Sequence, residues 1–215
     1  MKPSYQIESF GKDTQIPVRD LSELQARLIP RGTVALLGRR FMERFYYRFL
    51  PADGSVFGFV AYVNEKPAGL IVVTHEASGF MRLVVLRHWF SLAWVLFSSV
   101  VANPRKWADA FEGWRLLRNR PDLNINEPAG EILTIGVLPE YRDSEFVRQT
   151  GFRIAADLLD KALAELRALG LRVFRACIES DNREVKLFYL TRGWVIEQSE
   201  IEGDEIDYVE IVLRE

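Results

Sequence analysis

The sequence predicts a mixed α/β fold: a central, mostly antiparallel sheet that contains one parallel pair of strands and is flanked by helices. Three observations support this class. Two runs rich in β-branched and aromatic residues, at 56–63 and 68–75, indicate a hairpin. A strand, an amphipathic helix and a second strand follow one another over 131–179, an order that predicts a parallel pair with a right-handed crossover. Two final runs, at 195–200 and 206–213, indicate an antiparallel pair.

Two helices are expected before the first hairpin. Residues 22–29 form the first helix, and Pro30 ends it. Residues 33–49 form the second helix, because apolar side chains recur there at helical spacing, and Pro51 is expected to end it.

A long insertion separates the first hairpin from the crossover unit. Residues from about 80 to 128 are predicted to be mainly helical, with Pro104 and Pro121 as breaks. Residues 89–102 are fourteen in a row without a charge, whereas a membrane span needs roughly 20 apolar residues. We interpret this run as a buried or interface helix. The wall of an apolar substrate groove and a partner or membrane-surface face are the alternatives.

The crossover unit has the strongest local patterns. Its first strand, at 131–138, is ended by Pro139. A helix that begins at Gly151 or Ile154 and runs to about Leu169, called here the helix at 154–169, has one apolar stripe, with charged residues mostly on the opposite side. A second strand at 173–179 and a short helix at 183–191 complete the unit.

Composition restricts the functional class. The chain has 215 residues, 48% of them apolar and 27% charged, so a single domain over residues 1–215 is expected. A net charge of −2 provides no overall basic field for nucleic acid. The lone Cys177 excludes an internal disulfide, and with two histidines no metal site is expected. The first residues contain no apolar signal segment, so a cytoplasmic location is expected.

The crossover unit also predicts a type of ligand. After the strand at 131–138, a polar loop leads to the N-terminus of the helix at 154–169. Unpaired backbone N–H groups and the helix dipole both favour negative charge at such a place. The sequence therefore predicts a site for a phosphate or pyrophosphate group.

Residues 131–194 resemble the GNAT superfamily of acyl-CoA-dependent N-acyltransferases, and residues 33–75 resemble it more loosely. The resemblance rests on the strand ILTIGV followed by PEYR. It also rests on SDNREVKLFYLTRGW, where Asn, Phe-Tyr and Gly-aromatic recur at the family's spacing. The resemblance implies that Asn182 lies near the cofactor. It also implies that the pantetheine arm of acetyl-CoA binds the strand backbone at Ile135, Gly136 and Val137.

The resemblance extends to the family's pyrophosphate loop, Arg/Gln-x-x-Gly-x-Gly/Ala. The matching residues, which the resemblance assigns to cofactor binding, are Arg148, Gln149, Thr150, Gly151, Phe152 and Arg153. Arg153 stands where the family has a small residue, and five residues separate Arg148 from Arg142, where the loop usually begins. Arg153 either blocks the close approach of phosphates or binds their oxygens itself.

Acyl transfer from a thioester to an amine needs a neutral amine, a stabilised oxyanion and a proton for the leaving thiolate. The resemblance assigns that proton to Tyr189, with a packed aromatic as the alternative, and assigns polarisation of the carbonyl to the N–H of Val137. Glu131 is a candidate general base. Alternation along the strand is expected to place it on one face with Leu133, Ile135 and Val137, where apolar surroundings raise the pKa of a carboxyl. A solvated strand-end glutamate is the alternative.

These observations favour a function in acetyl transfer. The resemblance implies an N-acetyltransferase that moves an acetyl group from acetyl-CoA to a primary amine of a small molecule by direct attack. A longer acyl donor, a lipidic or amino-sugar acceptor, and a non-catalytic acyl-CoA-binding module are the alternatives. Membrane contact is not expected, and the hydrophobic insertion is a candidate contact for a homodimer.

Overall fold

A seven-stranded sheet organises the part of the chain that the structure, a computed structural model, describes: residues 3–30, 32–76, 128–201 and 208–214. In spatial order the strands are β1-β2-β3-β4-β5-β7-β6. Their bounds are β1 Tyr5–Phe10, β2 Phe57–Val63, β3 Lys66–Thr74, β4 Gly130–Val137, β5 Val173–Glu179, β6 Val195–Ile201 and β7 Tyr208–Arg214.

Every pair of neighbouring strands in this sheet is antiparallel except β4 and β5, which are parallel. The β2–β3 and β6–β7 pairs are the two predicted hairpin pairs, and β4–β5 is the predicted crossover pair. The predicted mixed class, with one parallel pair in a mostly antiparallel sheet, is therefore confirmed.

Strand β1 is absent from the sequence prediction. It pairs with β2 along its whole length, from Tyr5 opposite Val63 to Phe10 opposite Gly58. Of its six residues only Phe10 is buried. Because β1 lies at the edge of the sheet and is half-exposed, it lacks the continuous apolar run that identifies inner strands.

The first helices differ from their prediction. Helix α1 spans Val18–Leu28 and so begins before residue 22. The predicted continuous helix at 33–49 is wrong, because Gly38 adopts a φ of +90°, which an α-helix cannot contain. Short helices α2 and α3 lie on either side of Gly38, at Thr33–Leu36 and Arg39–Phe41.

A π-helix at Met42–Phe49 follows α3 directly. Pro51 does not end this segment as predicted. Helix α4, Leu50–Asp53, continues it for one more turn, and Gly54 ends it in the left-handed conformation, with a φ of +86°.

The crossover unit contains four helices among the described residues. The two predicted helices are confirmed as α7, Ile154–Ala168, and α8, Arg183–Leu190. Two shorter helices lie between β4 and α7: α5, Pro139–Arg142, and α6, Ser144–Thr150. Pro139 ends β4, as expected, and also begins α5.

Helices cover both faces of the sheet and divide the core into two clusters. On one face, α1 and the π-helix pack against β2 and β3 around residues such as Tyr47, Leu70 and Val72. On the other face, the apolar stripe of α7 packs against β2 to β5. Strand β4 lies between the clusters and contributes side chains to both.

A β-bulge in β4 changes which side chains share a face. Val72 pairs with Thr134 and Val73 with Ile132, so Leu133 has no partner residue in β3. Leu133 packs on the α1 face, whereas Ile132 and Ile135 pack on the α7 face. The expectation that Glu131, Leu133, Ile135 and Val137 share one face is therefore wrong.

Several expectations concern residues outside the described ranges. The insertion at about 80–128 and its uncharged run at 89–102 lie there. In the described ranges, no helix combines the length and apolar character that crossing a membrane requires.

Candidate active site

A gap between β4 and β5 is the central feature of the candidate site. The two strands pair through three residue pairs only, and the last is Ile132 with Ala176. Beyond this rung β4 continues to Val137 and β5 continues to Glu179, but the two strands no longer pair with each other. Two parallel strands that separate in this way leave backbone N–H and C=O groups facing the space between them.

The wall of this gap on the β4 side is formed by Ile135, Gly136 and Val137. These residues pair with β3 on their other edge, with Ile71, Leu70 and Gly69 respectively. A Cβ on Gly136 would lie 2.9 Å from Cδ1 of Leu28, so the missing side chain lets the end of α1 approach the strand. The structure thus places the three predicted residues side by side at the edge of the gap.

The six residues predicted as a pyrophosphate loop do not form one loop. Arg148, Gln149 and Thr150 are the last turn of α6, and only residues 151–153 are non-helical. Arg148 and Gln149 both contact Glu145 of the same helix, at 3.5 and 3.0 Å. Asp143 caps α6 by accepting a hydrogen bond from the Glu145 N–H, so the extra residues after Arg142 form a helix of their own.

The remaining loop, Gly151 to Arg153, leads into α7 and is held by β1. Gly151 has a φ of +77°, and its N–H donates to the Val147 carbonyl, which closes α6. Phe152 stacks on Tyr5 of β1 with ring centroids 4.6 Å apart. The Tyr5 hydroxyl donates a 2.8 Å hydrogen bond to Asp157 in the first turn of α7, and burial is the main cause of the raised pKa of Tyr5.

The N-terminus of α7 carries no side-chain cap. Arg153 occupies the N-cap position, and because its guanidinium has no acceptor atom it makes no capping hydrogen bond to the first turn. Its side chain lines a groove of about 540 Å³ between α7 and the end of α8, together with Asp160 and Arg192. Among the described residues the N-cap side chain thus leaves the backbone N–H groups at this end of α7 without a cap, and such groups favour an anion.

Asn182 lies at the opposite side of the gap, at the N-cap of α8. Its side-chain oxygen accepts a hydrogen bond from the Val185 N–H at 3.2 Å. This contact fixes the start of α8 at the end of β5. Asn182 thus has a structural role in positioning α8, next to the role that the resemblance implies for it.

Tyr189 is almost completely buried in the core on the α7 face, with 1% of its surface exposed. Its ring makes edge contacts with Phe188 and Trp194, with centroids 5.3 and 4.8 Å apart. Burial raises the pKa of the Tyr189 hydroxyl, so the group remains a neutral proton donor across the neutral range.

Glu131 is buried at the closed end of the gap and is not a solvated strand-end residue. In the register of the sheet it lies beside Thr74 of β3 and Arg175 of β5. Arg175 in turn forms a buried ion pair with Glu210 of β7. Arg175 and Glu210 were not predicted as site residues, because a charged residue in the middle of a strand usually faces solvent.

Comparison with known proteins identifies the fold. No protein-family model and no curated relative matches the sequence. Solved structures do match: a protein from Desulfovibrio desulfuricans ascribed to the GNAT family of acetyltransferases is 12% identical, with a TM-score of 0.56, over 98% of this chain and 99% of that one. The GNAT-family acetyltransferase of Streptococcus pneumoniae is 17% identical, with a TM-score of 0.54, over 99% and 100%. The chain has the GNAT fold.

A third similar structure carries a ligand. Naa50 of Arabidopsis thaliana, in complex with the bisubstrate analogue CoA-Ac-MVNAL, is 16% identical, with a TM-score of 0.51, over 96% of this chain and 97% of that one. The fold that the resemblance implied is confirmed by these structures. The residues that the resemblance assigns to the pantetheine arm lie at the gap between β4 and β5, and the helix start that the sequence predicts after β4 is the N-terminus of α7.

Proposed function

We propose that the protein is an acetyl-CoA-dependent N-acetyltransferase that acts on a primary amine of a small molecule. One observation carries this proposal: β4 and β5 separate after the Ile132–Ala176 rung and leave a gap whose β4 wall is unpaired backbone. An extended pantetheine chain carries amide groups that pair with such an edge as a strand does.

The phosphates of acetyl-CoA fit the other end of this gap. The uncapped N-terminus of α7 offers backbone N–H groups and the positive end of a helix dipole. Gly151 has no Cβ, so its backbone is accessible to a phosphate group. Of the six residues that the resemblance assigned to phosphates, Gly151, Phe152 and Arg153 are the ones next to this helix end. The CoA-containing analogue bound by Naa50 agrees with this cofactor class.

The chemistry that we propose is direct attack. The amine nitrogen bonds to the thioester carbon, the carbonyl oxygen gains negative charge, and the N–H of Val137 donates to it. The carbon–sulfur bond then breaks, and Tyr189 gives its proton to the departing thiolate. Glu131 takes a proton from the amine. Its place one rung before the strands separate supports this role.

Two glycines with matched geometry test the cofactor site. Gly151 and Gly170 have φ values of +77° and +85°, and neither has a neighbour within 4 Å of an added Cβ. Alanine therefore imposes the same backbone strain at both, about 1 kcal/mol. Isothermal titration calorimetry with acetyl-CoA should show weaker binding in Gly151→Ala than in Gly170→Ala. Gly151 lies next to the N-terminus of α7, where the phosphates are proposed to bind, whereas Gly170 follows the C-terminus of α7.

The outcome of the titration decides the proposal. Folded wild-type protein that binds no acetyl-CoA at high micromolar concentration contradicts it. Binding without thiol release across a panel of amines favours the non-catalytic alternative instead.

A longer acyl donor or a lipidic or amino-sugar acceptor is the second candidate, because residues 89–102 carry no charge. Profiling turnover against acyl-CoA chain length separates it from acetyl transfer. The homodimer and the cytoplasmic location stay predictions.

A further inference from the structure

Three charged side chains are buried in a row across the sheet. Glu131, Arg175 and Glu210 lie on the neighbouring strands β4, β5 and β7, and their exposed fractions are 6%, 6% and 2%. Charged residues are almost never buried to this extent unless they are paired. Ile132 and Ala176, the next residues along β4 and β5, belong to the core on the α7 face, so Glu131 and Arg175 point to the opposite, α1 face.

The pairing within this row is incomplete. Nη2 of Arg175 contacts Oε1 of Glu210, whereas Nε and Nη1 are buried and have no hydrogen-bond partner among the described residues. A buried ion pair is weak evidence for stability, because removing two charges from water offsets most of their attraction. Unmatched donors add to that cost. The sheet therefore retains Arg175 in a place where an apolar residue would serve folding at least as well.

The location of the row suggests why Arg175 is retained. Glu131 and Arg175 occupy the same rung, and parallel strands are about 4.8 Å apart. The next rung is the last one before β4 and β5 separate. The guanidinium charge thus lies beside the Glu131 carboxylate at the closed end of the gap, where the thioester would end.

We propose that Arg175 is a positioning residue for the reaction: its positive charge, anchored by Glu210, holds the Glu131 carboxylate at the closed end of the gap to receive the amine proton. This inference rests on the proposed acetyl transfer. Arg175 acts through its charge, because no hydrogen bond from Nε or Nη1 is present among the described residues. Because two carboxylates surround one guanidinium, the row favours a cationic acceptor over an anionic one; its ammonium first loses one proton to solvent, and Glu131 takes the second as the neutral amine attacks.

The titration of Glu210 supports electrostatic coupling along the row. Burial is the main reason that its pKa is raised; Arg175 opposes the rise, and the negative charges of Glu197 and Glu131 add to it. Arg214, on the same strand, also opposes the rise. The charged groups on β4 to β7 around this site therefore influence one another.

The test compares two double variants that each remove a whole ion pair. Arg175→Met/Glu210→Leu deletes both partners of the buried pair, so neither of them is left as an orphaned charge, and the thermal midpoint checks that this variant, which keeps Glu131, is folded. Arg39→Met/Glu43→Leu deletes an ion pair at the start of the π-helix, which is 2.6 Å long, partly exposed and outside the group of charges that influence Glu210. Thiol release from acetyl-CoA is measured with the best acceptor from a panel containing an aromatic amine, a polyamine and an amino sugar.

Only the buried double variant should lose turnover. We expect its kcat to fall about tenfold or more, while KM for acetyl-CoA stays unchanged. General acid–base catalysis contributes roughly 10²–10⁴-fold to a rate, and a mispositioned Glu131 should lose a part of that factor. The exposed double variant should keep the wild-type kcat. Arg175→Lys should retain more turnover than the buried double variant, because it keeps the charge without the guanidinium fork.

The results also separate this inference from the proposed function. Wild-type turnover in the buried double variant, with a wild-type thermal midpoint, overturns the role of Arg175 and leaves acetyl transfer intact. So does an Arg175→Lys enzyme that is folded but no more active than the double variant. Wild-type protein that binds acetyl-CoA and acetylates none of the amines overturns both proposals.

Discussion

Replacing Tyr189 by phenylalanine should separate catalysis from packing. The phenylalanine ring retains the edge contact that Tyr189 makes with Trp194 at 4.8 Å, and a site with 1% exposure leaves no room for rearrangement. The change therefore removes one hydroxyl and should alter the free energy of unfolding by about 1 kcal/mol or less. If the hydroxyl protonates the thiolate, kcat should fall by about 10²-fold, which is close to 2.7 kcal/mol of activation free energy.

Tyr47→Phe is a matched control for this experiment. Tyr47 is also fully buried, but it lies in the core on the α1 face and donates a 2.7 Å hydrogen bond to Gln25. Its loss leaves the Gln25 oxygen buried without that donor, so stability should fall by about 1–3 kcal/mol while kcat stays unchanged. Thiol release and urea denaturation measure the two quantities. An unchanged kcat in Tyr189→Phe, with normal acetyl-CoA binding, refutes the acid role and leaves Tyr189 a packing residue.

The raised pKa of Tyr189 adds a second signature at high pH. In the unfolded chain the Tyr189 hydroxyl ionises at about pH 10, whereas in the folded protein burial raises its pKa. The linked stability is present below pH 10 and is lost as pH rises above it, because only the unfolded chain releases the proton. The urea midpoint of Tyr189→Phe should therefore fall less between pH 9 and pH 11 than that of the wild type (both pH values chosen about 1 unit either side of that pKa). An equal fall in both proteins contradicts the assignment of this titration to Tyr189.

Further substitutions test the packing around the site. In Gly58→Ala the Cβ would lie 2.0 Å from the Ile71 carbonyl oxygen, so backbone must move, and stability should fall by about 3 kcal/mol or more. In Gly136→Ala the added Cβ would lie 2.9 Å from Cδ1 of Leu28. Because that side chain can rotate away, stability should fall by about 1 kcal/mol. Equal urea midpoints for these two variants would contradict the difference. Asn182→Ala removes the cap of α8 and should cost about 1 kcal/mol in thermal denaturation, and an unchanged midpoint would show that the cap contributes little.

Much of the crossover unit could be predicted because its signals are local. The apolar stripe of α7 repeats at helical spacing, and the order strand, helix, strand fixes the parallel pair and its handedness. Asp143 and Gly151 are also local signals, an N-cap and a C-cap residue around seven residues, and they indicate α6 when they are considered together. The extra residues after Arg142 therefore form a helix and do not extend a loop.

Other features of the site depend on distant parts of the chain. Arg175 appears in the sequence as an ordinary charged strand residue, and its burial follows only because β7 pairs with β5 and brings Glu210 beside it. Whether Glu131 shares a face with Ile135 depends on a bulge one residue long at Leu133, which reverses the alternation from Thr134 onward. The π-helix at Met42–Phe49 has the same apolar residues as an α-helix, so periodicity alone does not distinguish them.

The contact between β1 and the start of α7 makes the edge of the sheet part of the proposed cofactor site. Tyr5 stacks on Phe152 and donates to Asp157, so a chain in which β1 separates from β2 also loses the support of residues 151–153. By thermodynamic linkage, a ligand that needs this loop in place stabilises the pairing of β1 with β2. Separation of β1 from β2 lowers the affinity for that ligand by the same factor. Under the proposed function, the pairing of this edge strand and the occupancy of the gap would therefore rise and fall together.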